Sequence, residues 1–571
     1  MLDSRTTIRP GQRLDPLASF DAAGVFARCL SEADPGQAHT RLVAVLADVV
    51  DWRRLDPDRL QALRVLDTQG LRMLEAILAE YAALGPHVQS QDRRLAKPAF
   101  ELCGAFAQAF DHVLKLLRDP RAHKGLLGRM PDVLVRLLRY RELEMALTLC
   151  QYDMWQRARW KTLHDLHRLA REHGVATTKV VVAQRDGAEV TVTPEEIYLR
   201  ILLLDIAGGG QLLPSELAAT RRGLARWVEG LSLASLPATP DGPPRPGFCL
   251  DVDGMGGLVR TPAASADRLL WLDTTPLASA IESEITSMRQ STDPAAARRV
   301  LMLSRLAPLY TPHPVDAKRR GERNEVALQS VQVAFGGLSG IYRLLRDEAR
   351  HRSGRVPGTA PDVDEIEIGE AGQPNRAPPL SMNPDDSSTN AFAAMIAEGT
   401  TWQVRDSSDS GCRLRGRAAE LRHMLPGSLL AFREDEDAPW RLAVVRRLRK
   451  ILGTNVELGV ERLAVGPQRI VLTDDRAPGT AARRRPARTI AFYAPESPAC
   501  PRIPIKTLVI PAGDFAPGRV MTMASTRDLR VRMKEPLEQQ MDFVWTTFDF
   551  VGDARSSAIG INVGSHALGG A

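Results

Sequence analysis

The sequence lacks most of the features that announce a function class. Its longest apolar runs, such as Ile201-Leu202-Leu203-Leu204, fall far short of the ~18–20 residues a membrane-spanning helix needs. The first thirty residues show no basic-then-apolar signal layout, so a cytoplasmic protein without a membrane span is expected. Cysteine is sparse. The six thiols (Cys29, Cys103, Cys150, Cys249, Cys412, Cys500) stand far apart with no CxxC pair, which argues against a disulfide framework or zinc knuckle and predicts buried thiols. No GxxxxGK[ST], HExxH or GxSxG occurs, so no catalytic residue is assigned and an enzyme is not expected. Lysine is scarce too, with 9 residues against 66 arginines.

What is present is ordinary globular composition, 44% hydrophobic and 25% charged. A chain of 571 residues suggests about three to four domains. The net charge of +6 is mild for this length, so nucleic acid is not an expected partner. The arginine excess reads first as coding bias. Arginine is nonetheless the side chain best suited to forked phosphate contacts and to stacking on flat bases.

Periodicity divides the chain. Residues 1–235 read as an all-α bundle or repeat-like array. Asp56-Pro57 is an N-cap and first-turn pair, followed by Leu60, Leu63, Leu71, Leu74, Leu78 and Tyr81 at helical spacing until Gly85-Pro86. Pro131, Pro194-Glu195-Glu196 and Pro214-Ser215-Glu216 open further helices, with a short hairpin-like stretch from Lys179 to Val192 between them. Five prolines between Pro237 and Pro246 mark a linker, after which residues 247–315 read as a small mixed α/β segment. The stretch 353–390 is Pro-, Gly- and acid-rich with too little apolar content to pack, and is expected to be a disordered linker. Beyond it the chain alternates like strands, in Ser428–Phe432, Trp440–Val445, Val456–Val460, Thr507–Ile510, Val520–Met523 and Phe543–Val551.

Several sites that imitate function read more simply as structure. Asp251-Val-Asp253-Gly-Met-Gly256 opens like a calcium loop, but Pro262 stands where the closing glutamate belongs, so a strand turn is expected. His164 and His167 are i, i+3 on a helix, with His173 nearby, but without a carboxylate pattern they read as packed or surface histidines, and no metal site is assigned. The run Arg483-Arg484-Arg485-Pro486-Ala487-Arg488 has no interleaved aromatics and reads as a solvated loop.

One constellation is more specific. Arg319 and Arg323 form an RxxxR, followed by a strand-like stretch from Glu325 to Phe335. Asp406, Ser408 and Gly411 form a DxSxxG flanked by Trp402 and Cys412-Arg413-Leu414. Pro426-Gly427, Trp440 to Arg446 and Glu457 to Glu461 then follow in strand-like order. A ligand with two phosphates and two flat purines needs forked cations that also stack, a polar pair for a guanine edge, and a glycine where a base lies on backbone. These residues have those abilities.

Together they resemble the PilZ domain, a six-stranded β-barrel that binds cyclic di-GMP. The resemblance implies that Arg319 and Arg323 grip phosphate and stack on guanine, that Asp406 and Ser408 bond the guanine edge, and that Gly411 leaves room for the base. The helical N-terminal third is similar to the front half of long bacterial proteins that carry such a barrel. The expected architecture is multidomain α+β: the helical region, a PilZ-like six-stranded antiparallel barrel over 316–470 interrupted by a helix and the acidic linker, and a C-terminal β-rich module over 471–571. The expected function is a cyclic di-GMP effector coupling ligand to an unidentified protein partner in motility, adhesion or polysaccharide control. The rival is an interaction scaffold whose barrel no longer binds nucleotide.

Overall fold

A computed structural model describes residues 15–83, 88–123, 125–183, 189–235, 247–260, 269–291, 293–312, 324–352, 400–408, 410–417, 424–451, 455–474, 487–495, 505–523 and 529–551. The chain divides into two compact units, Met1–Ala317 with Arg449–Ile451, and Lys318–Leu448 with Leu452–Ala571.

The first unit is helical. Its elements are α1 (Phe20–Glu32), α2 (Pro35–Ala47), α3 (Pro57–Ala83), α4 (Val88–Arg118), α5 (Met130–Cys150), α6 (Arg157–Glu172), a hairpin of β1 (Val180–Ala183) and β2 (Glu189–Val192), α7 (Pro194–Ala207) and α8 (Pro214–Trp227). The strands β3 (Leu233–Ser235), β4 (Phe248–Asp251) and β5 (Leu269–Leu272) form one small sheet, and α9 (Thr275–Arg289) and α10 (Pro294–Tyr310) complete the unit. Local chemistry sets the helix starts. Asp56 Oδ1 accepts the Arg59 amide at the head of α3, and Thr193 and Glu196 exchange side-chain and backbone hydrogen bonds in a capping box on α7.

α5 is buried on nearly every side, although it carries charge. Arg136 pairs with Asp67 of α3 and with Asp132, Tyr140 Oη donates to Asp67 at 2.8 Å, and Glu142 accepts a forked pair from Arg200 of α7. Such buried charges are tolerable because each has a partner. One continuous apolar core runs from Leu17 to Tyr310, so the 247–312 stretch packs on the same core as the helices before it. Cys103, Cys150 and Cys412 are buried as expected, whereas Cys29 is exposed: it sits on the outer face of α1, whose Ala23 and Leu30 turn inward. Cys500 lies outside the described residues. Among the described residues no helix is long and apolar enough to cross a membrane.

The second unit contains two closed antiparallel barrels. The first comprises β6 (Asn324–Ala334), β7 (Thr400–Ser408), β8 (Gly411–Arg417), β9 (Leu429–Arg433), β10 (Arg441–Lys450) and β11 (Asn455–Val465). Its ring runs β6-β7-β8-β11-β10-β9 and closes back on β6. The second comprises β12 (Gln468–Asp474), β13 (Ala487–Ala494), β14 (Thr507–Pro511), β15 (Val520–Met523), β16 (Leu529–Gln539) and β17 (Phe543–Phe550). Its ring runs β12-β13-β14-β17-β16-β15 and closes back on β12. Counted from its own first strand, each ring has the order 1-2-3-6-5-4. The C-terminal β-rich module is therefore a second barrel with the connectivity of the first. Closure removes the exposed edges that an open sheet of six strands would leave.

A helix, α11 (Gly337–Arg352), follows the first strand of the first barrel. Its Leu338, Ile341 and Tyr342 share one buried cluster with Ala431, Leu442 and Val444 of the first barrel and Phe492, Val509, Phe543 and Trp545 of the second. Glu348 fastens its far end, accepting from Trp440 Nε1 at 2.7 Å and pairing with Arg433. The acidic stretch 353–390 lies outside the described residues.

Candidate ligand site on the first barrel

The site is a hairpin tip. β7 and β8 pair from Gln403↔Arg415 to Ser408↔Gly411, and two residues of sequence separate the strands. The DxSxxG residues Asp406, Ser408 and Gly411 therefore stand together at one end of the barrel. β6 joins them from the other side, with Asn324 paired to Ser407 and Glu325 to Asp406. Arg323 directly precedes Asn324 in sequence, but Arg319 and Arg323 both lie outside the described residues.

The register breaks twice near this end. β7 shifts between Val404 and Asp406, which sets Asp406 opposite Arg413 rather than Cys412, and β6 shifts between Glu325 and Gln329. Bulges of this kind re-aim side chains and gather beside binding sites. The Asp406 carboxylate is nearly buried and meets the Arg413 guanidinium at 2.8 Å. Ser408 Oγ donates to the Gly411 carbonyl at 3.2 Å and lies 3.4 Å from Ser410 Oγ, so it braces the turn.

Gly411 is required by space. It is absent from the described glycines with positive φ, so no left-handed backbone demands it. A Cβ there would come within 2.1 Å of the Val460 carbonyl oxygen and 3.3 Å of the Glu461 Cα on β11. Close approach of another backbone is a recognised use for strand glycine. Gly416 on the same strand has a related role, since a Cβ there would strike the fully buried Trp402 ring at 2.2 Å.

β11 supplies the third wall. Glu461 pairs across from Gly411, and the Arg462 amide donates to the Ser410 carbonyl at 2.9 Å. Arg462 Nη2 also donates to Ser407 Oγ at 3.0 Å. The Cys412 thiol is pushed up to about 12 by burial and takes no part as a thiolate. Ser407 and Arg462 were missed by motif reading because they belong to no local pattern. Their contact crosses from β11 over β8 to β7.

Among the described residues no His, Cys, Asp and Glu group could hold a metal. His164 is fully used: its Nε2–H donates to the Gly256 carbonyl at 2.9 Å, so its Nδ1 accepts from the Tyr198 hydroxyl at 2.7 Å. The His167 ring stacks on Tyr198 with centroids 4.1 Å apart. Asp251-Val-Asp253-Gly forms a turn after β4, with the Gly254 amide donating to the Asp251 carbonyl at 3.1 Å. Of the basic run, Arg483–Pro486 lies outside the described residues.

Two family models match the chain. Residues 359–468 match the middle PilZ domain of the cyclic-di-GMP receptor FimW, and residues 21–239 match the N-terminal domain of that receptor. The chain is a PilZ-domain protein of this receptor family. No curated protein and no solved structure matches. The PilZ match contains Asp406, Ser408 and Gly411 but begins after α11, so β6 and the Arg319–Arg323 segment lie outside it. Apart from Phe20, the helices α1 to α8 fall within the N-terminal match, and the second barrel beyond Gln468 falls in neither.

Proposed function

We propose that the chain is a cytoplasmic effector without catalytic activity that binds cyclic di-GMP at the PilZ barrel. Ligand occupancy there changes how the helical unit or the second barrel meets a protein partner, in control of motility, adhesion or polysaccharide secretion. One observation carries the reading: Asp406, Ser408 and Gly411 stand on a single hairpin tip, and the strand that directly follows Arg319 and Arg323 pairs onto it. In this reading Arg319 and Arg323 supply the forked, stacking cations, while Asp406 and Ser408 turn to the guanine edge.

A second reading has its own support. Asp406 is engaged by Arg413, and Ser408 bonds the Gly411 carbonyl, which are the roles these side chains would fill in a barrel that serves only as a scaffold. Calorimetric titration of the full chain with cyclic di-GMP separates the two. The effector gives saturable heat that Ser408→Ala reduces; a chain that gives none at high ligand is the scaffold.

A further inference from the structure

Arg462 belongs to neither motif, yet it touches both sides of the hairpin tip. It stands one residue beyond the final β8–β11 pair, Glu461↔Gly411. Its backbone amide holds the loop at Ser410, and its guanidinium holds β7 at Ser407. The same guanidinium lies 6.0 Å from the centroid of Phe432 on β9, at the limit of a cation–π contact. One residue of β11, through its amide and its guanidinium, thus fixes the tip against the barrel wall.

We propose that Arg462 is a positioning residue of the cyclic di-GMP site. It acts through Ser407 and Ser410, which flank Ser408 and hold the tip in its binding shape. This rests on the ligand reading above. The ladders to β6 and β11 reach no further than Ser407 and Gly411, so the turn between them depends on other contacts for its shape. Each polar group left to be ordered on binding subtracts from affinity. By tying β7 and the loop to β11 in the free protein, Arg462 places the Asp406–Ser408 segment before the ligand arrives. The Ser407 hydroxyl is the required acceptor, which gives a role to the variable position between the aspartate and serine of the motif.

The test uses the full chain and cyclic di-GMP, with affinity from calorimetry and melting temperature measured in parallel. Arg462→Gln and Ser407→Ala are each expected to weaken binding about five- to tenfold while the barrel stays folded, and the double variant to be no weaker than the worse single one. Arg462→Lys, able to donate a single bond to Ser407, should recover part of the loss. Because Arg462 is assigned no phosphate contact, the salt dependence of binding should match that of the wild type in Arg462→Gln. Unchanged affinity in Arg462→Gln, or losses that add in the double variant, overturns the positioning role. A flatter salt dependence overturns it in favour of direct phosphate contact. A wild type that gives no binding heat overturns the ligand reading itself, and the role of Arg462 with it.

Discussion

Glu461 lies directly across the β8–β11 ladder from Gly411, and its carboxylate holds the guanidinium of Arg446 at 2.7 Å. Arg446 in turn forks onto Glu538 of the second barrel, with Nη1 to Oε1 at 2.6 Å and a second, shorter contact between Nη2 and Oε2. The partner strand of the glycine that closes the candidate site thus shares a cation with a neighbouring barrel. Burial opposes the charge on Arg446, but hydrogen bonds and attraction from Glu538, and then Glu461, more than offset it and raise its pKa.

Glu538→Gln should therefore cost about 1.5–3 kcal/mol of stability, the range for a hydrogen bond to a charged group. Glu461→Gln should cost less, because Arg446 keeps its fork. The two losses should be non-additive in a double-mutant cycle read by urea unfolding, since both carboxylates act on one cation. Strict additivity would mean that Arg446 does not couple them.

Gly411→Ala should destabilise the first barrel by about 1–3 kcal/mol, as overpacking does, because its Cβ has no room beside the Val460 carbonyl. Gly411→Val should be worse and should also abolish ligand binding. Thermal melts check this directly. An alanine variant that melts with the wild type would show that β11 can step back from Gly411.

The His167 imidazole is held down at about 3 by burial, with Arg171 and His164 adding to the effect. Its folded pKa is below the unfolded value of about 6.5, so between these limits the unfolded chain binds the extra proton. The stability contributed by the neutral ring is complete above about pH 6.5 and falls as pH drops towards 3, by up to about 1.4 kcal/mol per unit. His167→Phe keeps a flat ring on Tyr198 and removes the titration. Melting temperatures from pH 7 to 4 should fall more steeply in the wild type than in this variant.

Arg319→Ala and Arg323→Ala should each weaken cyclic di-GMP binding by at least ~1.5–3 kcal/mol, before stacking is counted. Arg320→Ala should do much less. Calorimetry on the three variants decides the register, and a larger loss at Arg320 would move the motif by one residue.

Elements with local signals were legible in the sequence. Asp56-Pro57 and Pro194-Glu195-Glu196 mark the starts of α3 and α7, and Val520–Met523 is β15 residue for residue. β12, β13 and β16 were not seen as strands. β16 alternates charge with apolar residues and contains Pro536, which the sheet accommodates by register shifts on either side. The likeness of the two rings was invisible because ring order is set by pairings between distant strands. At the candidate site, the DxSxxG pattern of Asp406, Ser408 and Gly411 was legible in the sequence. The reason for Gly411 was not, since Val460 and Glu461 are brought to it only by the β8–β11 register.

The shared cluster beneath α11 constrains the order in which the chain can finish folding. α11 emerges from the ribosome before Phe492 of β13, whose ring lies 5.8 Å from that of Tyr342, and long before Phe543 and Trp545 of β17, the last described strand, which complete the shared cluster. During synthesis the first barrel can pair all its strands once β11 is made, but the apolar cluster that α11 shares with the second barrel stays incomplete until β17 has appeared. A nascent or prematurely terminated chain that stops before β17 thus carries a closed barrel with a sticky flank, a species prone to aggregation and to chaperone capture.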